Sequence, residues 1–324
     1  MGTKGTLLTF RPDIKVVDAT LRDGGLVNNF YFDDEFVREL YQANIKAGVD
    51  YMEFGYKASK DLFDVNKFGP WKFCDEESIR KIVGNNDSDM KIAVMADVGR
   101  TEIDDIPDKQ DSVVDLIRIA TYIHQIPAAI EMIEQCHEKG YETSVNIMAV
   151  STANYKDIEQ ALDLLGQSSV DIIYIVDSYG SLYPEQIREL SEMYCKYGEK
   201  YDKKIGIHAH NNQQMAFANT IEAAAYGVSY LDATMMGMGR GAGNCILEGL
   251  MGFLKNPRYR LIYVLKFIQE HMLKLKEQGL EWGCDIPYII TGLLNQHPRA
   301  AIQQMKDKNT DYVDFYKEVW DREY

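Results

Sequence analysis

The fold is decided by the stretch Lys204-Ile205-Gly206-Ile207-His208-Ala209-His210-Asn211-Asn212, in which a short apolar strand pattern ends in polar side chains. Alternate side chains of a strand point to the same face, so His208 and His210 direct two imidazoles towards one place. Two neutral imidazoles can begin a divalent-metal site, whereas strand histidines can equally be hydrogen-bonded core residues. The spacing alone leaves both interpretations open.

Strand-like and helix-like patterns alternate along most of the chain. The eight predicted strands span residues 14–19, 51–54, 91–96, 116–120, 143–148, 172–176, 204–208 and 230–234. The amphipathic stretches between them include residues 33–47, 126–139, 155–166, 184–197 and 213–226. Eight strand–helix repeats over roughly 250 residues predict a (β/α)8 TIM barrel of the α/β class. The alternative, a doubly wound open sheet, usually has a glycine-rich first turn, which is absent here.

The pattern changes after residue 254, where helix-like stretches follow one another without strands. These stretches cover residues 259–278, 300–308 and 312–321. We therefore predict a barrel domain over residues 1–258 and a helical C-terminal extension over residues 259–324. The extension is too short for a secure core of its own.

Composition excludes several classes of protein. The 324 residues include 35 Lys and Arg against 50 Asp and Glu, a net charge of −15, so nucleic acid is not an expected partner. Five scattered cysteines, an odd number, indicate reduced thiols. No run of 18 apolar residues occurs, and the first 15 residues lack a signal-like apolar segment. We expect a cytoplasmic homo-oligomer without a membrane partner.

Polar motifs stand at the ends of most predicted strands. In a barrel of this kind the carboxyl ends of the strands carry the active site, so this coincidence indicates an enzyme. Besides the two histidines, these motifs are Thr20-Leu21-Arg22-Asp23-Gly24-Gly25, Glu53-Phe54-Gly55-Tyr56-Lys57, Asp97, Asn146, Asp177-Ser178 and Gly237-Met238-Gly239-Arg240-Gly241-Ala242-Gly243-Asn244.

The chemistry of these motifs favours a metal site. Asp23 would add a carboxylate to the two imidazoles, and Asn244 could add an amide oxygen, a set that suits Mn²⁺, Mg²⁺, Fe²⁺ or Zn²⁺. Arg22 offers a fixed cation for a developing oxyanion, although it could instead form a salt bridge at the barrel rim. The glycine-rich loop could also cradle a phosphate, but it lacks the Lys-Ser/Thr of a Walker loop. Positioning Asn244 is its favoured role.

Three motifs resemble those of the DRE-TIM metallolyase superfamily (HMGL-like proteins), particularly the 4-hydroxy-2-oxovalerate aldolase type. They are Thr20-Leu21-Arg22-Asp23-Gly24, His208-Ala209-His210-Asn211-Asn212 and Gly241-Ala242-Gly243-Asn244, and the resemblance covers residues 14–254. It implies that Asp23, His208 and His210 bind a divalent metal, Mn²⁺ or Mg²⁺ with Zn²⁺ as another option, and that Asn244 is a fourth or nearby ligand.

The resemblance also implies roles for two further groups. Arg22 would stabilise the enolate oxygen of the substrate, and Glu53 would support Arg22 or the metal-bound water. The general base of this chain must differ from that of the related aldolases. Those aldolases carry a histidine after the Arg-Asp-Gly turn and use it as the base, whereas this chain has Gly25-Leu26-Val27-Asn28-Asn29 there. The cysteine-bearing loop of hydroxymethylglutaryl-CoA lyases is missing as well.

The base must therefore come from another part of the chain. Lys57, with Tyr56 beside it, can bend over the metal, and a desolvated lysine loses its proton readily. Tyr288 is the other candidate, because the tail around it resembles the aldolases' C-terminal segment, in which a tyrosine reaches back over the site. A tyrosine there could equally anchor a helix to the barrel. His124 follows the fourth strand, where a single histidine is more often structural.

These observations predict a divalent-metal-dependent aldolase-type carbon–carbon lyase that acts on a small 2-oxo acid through a pyruvate-like enolate. Three alternatives remain. The first is a Claisen-type synthase that condenses an acyl-CoA with a 2-oxo acid on the same scaffold. The second is a ferrous oxygenase, which the ligand set alone permits. The third is a barrel that has lost catalysis and serves as a scaffold.

Overall fold

The computed structural model describes residues 11–254 and 256–321. Eight parallel strands close into a barrel in chain order, with β1 paired to β8. This confirms the predicted TIM barrel and all eight predicted strands, whose ends shift by one or two residues. The strands are β1 (Lys15–Asp18), β2 (Tyr51–Tyr56), β3 (Lys91–Asp97), β4 (Leu116–Tyr122), β5 (Glu142–Met148), β6 (Ile172–Asp177), β7 (Lys204–Ala209) and β8 (Tyr230–Ala233).

Helices surround the barrel and continue beyond it. Between and after the strands they are α1 (Thr20–Asn28), α2 (Asp34–Ala47), α3 (Glu76–Val83), α4 (Ile126–Glu138), α5 (Tyr155–Gly166), α6 (Pro184–Tyr201), α7 (Ala216–Ala225) and α8 (Leu247–Leu254). The tail contributes α9 (Leu261–Phe267), α10 (Leu273–Glu277), α11 (Ile286–Leu293), α12 (Arg299–Lys306) and α13 (Tyr312–Asp321). No helix in the described ranges is long and apolar enough to cross a membrane.

The motif after β1 forms a helix, α1, which the sequence analysis did not predict. Paired glycines are typical of turns. Here they permit close packing, because a Cβ on Gly24 would lie 2.8 Å from the Met238 sulfur and one on Gly25 would lie 2.1 Å from the Phe30 ring. The helix places Arg22 and Asp23 in its first turn, where its positive end favours a carboxylate.

The barrel interior is apolar at its base and charged near its mouth. Side chains from the first residues of several strands, such as Tyr51, Leu116 and Tyr230, form an apolar cluster that extends up to Val176, which is level with His208 in the sheet; its other members are Val17, Ala93, Ile172 and Tyr174. The charged side chains of Glu53, Arg118 and Asp232 lie further along their strands and are also fully buried. The polar centre is thus supported from below by packed side chains, as in other barrels of this class.

The tail packs in two parts. Helix α9 packs beside α2 and is joined to α10 by the π-helical turn Ile268–Met272, and Val264 and Phe267 belong to the main core. Helices α11 to α13 form a second apolar cluster that includes Tyr288, Phe315 and, from the loop after β8, Ala242. Pro287 and Tyr288 lie within the first turn of α11.

Candidate metal centre

Three buried side chains converge at the carboxyl end of the barrel. Asp23 comes from α1, whereas His208 and His210 come from the end of β7. One donor atom of each lies within 4.8 Å of the other two. The His208 Nε2 atom is 3.2 Å and the His210 Nε2 atom 3.9 Å from the same Asp23 oxygen, Oδ2. This is the juxtaposition that the strand spacing and the first motif predicted.

Each histidine has one ring nitrogen occupied and the other facing Asp23. The Nδ1 of His208 lies 3.0 Å from the Asp232 carboxylate, and the Nδ1 of His210 lies 3.3 Å from the carbonyl oxygen of Gly243. Both acceptors favour a proton on Nδ1, so the Nε2 lone pairs are left for a ligand on the Asp23 side. Carboxylate and carbonyl partners of this kind are usual for histidines that bind metals.

The electrostatics of the centre favour an ionised Asp23. Burial raises the pKa of this carboxyl, but Arg22 and the two histidines outweigh burial and hold the pKa well below its usual value. Burial, Arg240 and His208 lower the pKa of His210, although Asp23 acts in the opposite direction. A carboxylate beside a neutral imidazole is the protonation state that binding a divalent cation requires.

Asn244 completes the set of donors. It stands opposite His210 in an isolated antiparallel bridge and is 2% exposed. Its amide nitrogen donates to the Met238 carbonyl oxygen, while its Oδ1 atom is buried without a hydrogen-bond partner among the described residues. Gly239 makes room for it, since a Cβ there would lie 2.1 Å from the Asn244 amide nitrogen and 2.9 Å from Asp23 Oδ1. An unpartnered buried oxygen is costly unless a ligand satisfies it.

Arg22 is held rigidly next to Asp23. Its Nη1 lies 2.8 Å from Asp23 Oδ2 and its Nε 2.9 Å from Glu53 Oε2, and the side chain of Arg22 is only 5% exposed. The predicted support of Arg22 by Glu53 is therefore present as a direct ion pair. A guanidinium fixed by two carboxylates can keep one orientation towards a bound anion.

The sequence analysis missed two charged residues that complete this network. Arg118 on β4 reaches across the barrel interior to Glu53 at 2.8 Å and to Asp232 on β8 at 2.6 Å, and its guanidinium lies 4.5 Å from the Tyr174 ring centroid. Since Asp232 also contacts His208, a chain of ion pairs joins His208 to Arg22. The sequence did contain a signal for Arg118 and Asp232, because each is a single charged residue inside an otherwise apolar strand.

The remaining predicted site residues lie around the mouth at different distances from the centre. Lys57 follows β2 directly and is 5% exposed. The ring of Tyr288 lies against Gly241 in the loop after β8, where a Cβ would lie 2.9 Å from it. His124 is exposed and stacked on Tyr122.

The tail covers part of the barrel mouth. Asn295 links it to two loops, because its Oδ1 accepts from the hydroxyls of Ser151 and Ser181, each at 2.7 Å, and its Nδ2 donates to the Ser151 carbonyl at 3.0 Å. The Asn212 side chain donates to the Tyr288 carbonyl at 3.4 Å. These contacts place α11 over the loops that follow β5 to β8, as expected for a closing element.

Solved structures and curated relatives agree with this architecture. The N-terminal domain of a proposed aldolase from Bacteroides vulgatus superposes with a TM-score of 0.78 at 27% identity and covers 90% of this chain and 96% of its own. The carboxyl transferase domain of Rhizobium etli pyruvate carboxylase has a TM-score of 0.70 at 15% identity, with coverage of 92% and 54%, and supports the fold alone.

Two curated relatives carry functional names. Oxaloacetate decarboxylase of Mycobacterium tuberculosis is 31% identical over 89% of this chain and 86% of its own length. The 4-hydroxy-2-oxovalerate aldolase of Pelotomaculum thermopropionicum is 30% identical over 77% of this chain and 72% of its own length. The HMGL-like family model matches residues 13–271. These matches confirm the resemblance drawn from the three motifs and the expectation of an enzyme, and the chain therefore belongs to the HMGL-like family within the DRE-TIM metallolyase superfamily.

Proposed function

We propose that the protein is a divalent-metal-dependent, aldolase-type carbon–carbon lyase that acts on a 2-oxo acid, with 4-hydroxy-2-oxo acids as the first class to test. The observation that carries this proposal is the convergence of Asp23, His208 and His210 around one point, with both Nε2 atoms facing the carboxylate. The unpartnered Asn244 oxygen beside them supports a fourth donor. Oxygen and nitrogen donors without thiolate suit Mn²⁺ or Mg²⁺, and Zn²⁺ is a further option.

The two named relatives support one shared chemistry. Both 4-hydroxy-2-oxovalerate and oxaloacetate are 2-oxo acids, and aldol cleavage of the first or decarboxylation of the second breaks the bond between C3 and C4. In both cases the electron pair is left on C3, where the neighbouring carbonyl delocalises it as a pyruvate-like enolate. A site that stabilises this enolate serves either reaction, so the leaving group is the part that distinguishes them.

The residues of the chain divide this work. Asp23, His208, His210 and Asn244 would hold the metal, which supplies Lewis-acid polarisation of the 2-oxo group. Arg22, held by Glu53 and Asp23, would donate hydrogen bonds to the oxygen that gains charge.

Proton transfer needs a further group. Tyr288 is our first candidate because α11 contacts the loops that follow β7 and β8, from which it would help to exclude water from the enolate. Lys57, a buried residue at the end of β2, is the second candidate.

Exchange of the pyruvate methyl protons in D2O tests the proposal without knowledge of the second product. We expect exchange with Mn²⁺ or Mg²⁺ and none after chelation. Arg22→Gln should retain metal binding and lose about 10²–10³-fold in exchange rate, the usual cost of removing one oxyanion donor. Arg188→Gln is the matched control, because Arg188 is exposed and pairs with Glu222 on the outer helices. Exchange that persists without metal or is unchanged in Arg22→Gln would refute the proposed function.

A further inference from the structure

A second arginine lies beside the metal centre, on the side away from Glu53. The backbone nitrogen of Arg240 donates to Asp23 Oδ1 at 3.1 Å, and its Nη2 donates to the carbonyl oxygen of Ser178 at 2.9 Å. Arg240 follows β8 and Ser178 follows β6, so the side chain spans the end of the intervening strand β7. That strand carries His210, whose pKa is lowered by burial and by the Arg240 charge.

Arg240 differs from the other two arginines of the centre because it has no carboxylate partner. Arg22 and Arg118 each contact two carboxylates within 3 Å. Within residues 11–254 and 256–321, Arg240 forms no ion pair, and its Nε atom is buried without a hydrogen-bond acceptor. A buried charged donor without a partner is unfavourable, so an anionic ligand is its natural partner.

The charge of Arg240 acts on two aromatic rings, those of Tyr179 and of His297 in the tail, which together form a wall near it. The His297 and Tyr179 rings meet edge to face, with their centroids 5.7 Å apart. Burial, together with the charges of Arg240 and Arg299, lowers the pKa of His297 to about 4, so this imidazole is neutral at physiological pH. The wall therefore adds polar, uncharged groups and leaves Arg240 as the cation nearest to the metal donors on this side.

The chemistry of the guanidinium selects the ligand. A substrate of the proposed function brings one carboxylate with its 2-oxo group, and these two groups belong at the metal. Arg240 is then available for a second anion further along the substrate. The Nε atom with a terminal nitrogen presents a planar pair of donors, which matches a carboxylate in two-point contact.

We propose that Arg240 binds the distal carboxylate of the substrate, so that the enzyme acts on dicarboxylic 2-oxo acids in preference to monocarboxylic ones. The inference rests on the proposed function and assigns Arg240 as the residue that determines specificity. It requires that Arg240 discriminate between substrates that differ only at the far end. It does not require that Arg240 take part in enolate formation.

Calorimetric titration of the Mn²⁺-loaded protein with 2-oxoglutarate and 2-oxovalerate tests this directly. The two acids differ only by a terminal carboxylate, and oxaloacetate with 2-oxobutyrate forms the corresponding four-carbon pair. We expect the diacid of at least one pair to bind about tenfold more tightly or better. Arg240→Gln should weaken diacid binding on the order of 10- to 100-fold, the range for a charge-assisted hydrogen bond, and change monoacid binding by less than about threefold.

Arg299→Gln is the matched control, since it removes an exposed cation near the same histidine. If Arg240→Gln fails to fold, Arg240→Lys replaces it as the test. The lysine retains the charge but lacks the paired donors, so this variant should lose part of the preference for the diacid. Equal weakening of both acids, or no diacid preference in either wild-type pair, would overturn the assignment of Arg240. Metal-dependent pyruvate exchange in the same preparation separates that outcome from failure of the proposed function, because pyruvate has no distal carboxylate.

Discussion

Replacing Asp232 with asparagine should weaken binding of Mn²⁺ about 10- to 100-fold, or about 1.4–2.7 kcal/mol, the usual effect of losing a partner of a metal-binding histidine. Asp232 is fully buried and accepts from His208 Nδ1 at 3.0 Å and from Arg118 at 2.6 Å. An asparagine retains the shape but removes the charge. Its amide can also donate to Nδ1, which would leave the proton of His208 on Nε2, facing the metal.

The same substitution should lower stability, because Arg118 loses one of its two carboxylates. Breaking a buried ion pair typically costs about 3–5 kcal/mol, and the contact with Glu53 should reduce that cost. The double variant Asp232→Asn/Arg118→Met removes the uncompensated cation and leaves Glu53 paired with Arg22. We expect it to recover stability without recovering metal affinity.

Titration of Mn²⁺ followed by the electron paramagnetic resonance signal of the free ion measures the affinity, and chemical denaturation of the metal-free protein measures the stability. Tyr174→Phe is the control, since it removes a buried hydroxyl without a partner and leaves the ring over Arg118. Wild-type Mn²⁺ affinity in a folded Asp232→Asn variant would refute the orienting role of Asp232.

Three further substitutions have defined outcomes. Gly239→Ala should displace the Asn244 amide, which its Cβ would approach to 2.1 Å, and an unchanged Mn²⁺ titration would contradict this. Asp18, whose pKa burial raises from 3.8 to about 6, binds its proton more tightly in the folded state, so its contribution to the unfolding free energy should fall by about 3 kcal/mol as the pH rises from 4 to above 6. Denaturation across this range should show a fall that is about 3 kcal/mol smaller in Asp18→Asn than in the wild type, because buried Asp177, whose pKa is also raised to about 6, still contributes in the variant. In Asp18→Asn the side chain of Asn44 can rotate so that its Oδ1 accepts from the new amide. Tyr288→Phe should reduce metal-dependent turnover without changing the melting temperature, and full activity would direct the search for the base to Lys57.

The strands were predictable because their signal is local. Short apolar runs bounded by polar or glycine residues reveal a buried parallel strand without knowledge of its neighbours. The helix α1 was not predictable in this way, because its glycines are required by contacts with residues outside the motif. Gly25 must be small where the Phe30 ring lies, and Gly24 must be small where Met238 lies. A pattern that is typical of a turn thus packs as a helix.

The metal donors were predictable from the sequence, whereas the charged residues that support them were not. His208 and His210 are two residues apart on one strand, so their convergence follows from strand geometry. Asp23 could be assigned to the same site because its motif and the histidine motif occur in the order that the superfamily shows. Arg118 and Asp232 lie on strands that are opposite in the barrel, and nothing near either residue in the sequence indicates the other.

The sequence by itself determined the barrel, the end of it that carries chemistry, and the identity of the four candidate metal donors. It did so because strand period, strand number and polar strand ends are local properties that add up along the chain. Only the tertiary structure decided which nitrogen of each histidine faces Asp23, which charges hold Arg22, and that Arg240 has no carboxylate partner among the residues that the structure describes. Apart from the contact between the neighbours Arg22 and Asp23, these features depend on distances between residues at least 24 positions apart, which barrel closure and side-chain packing set together.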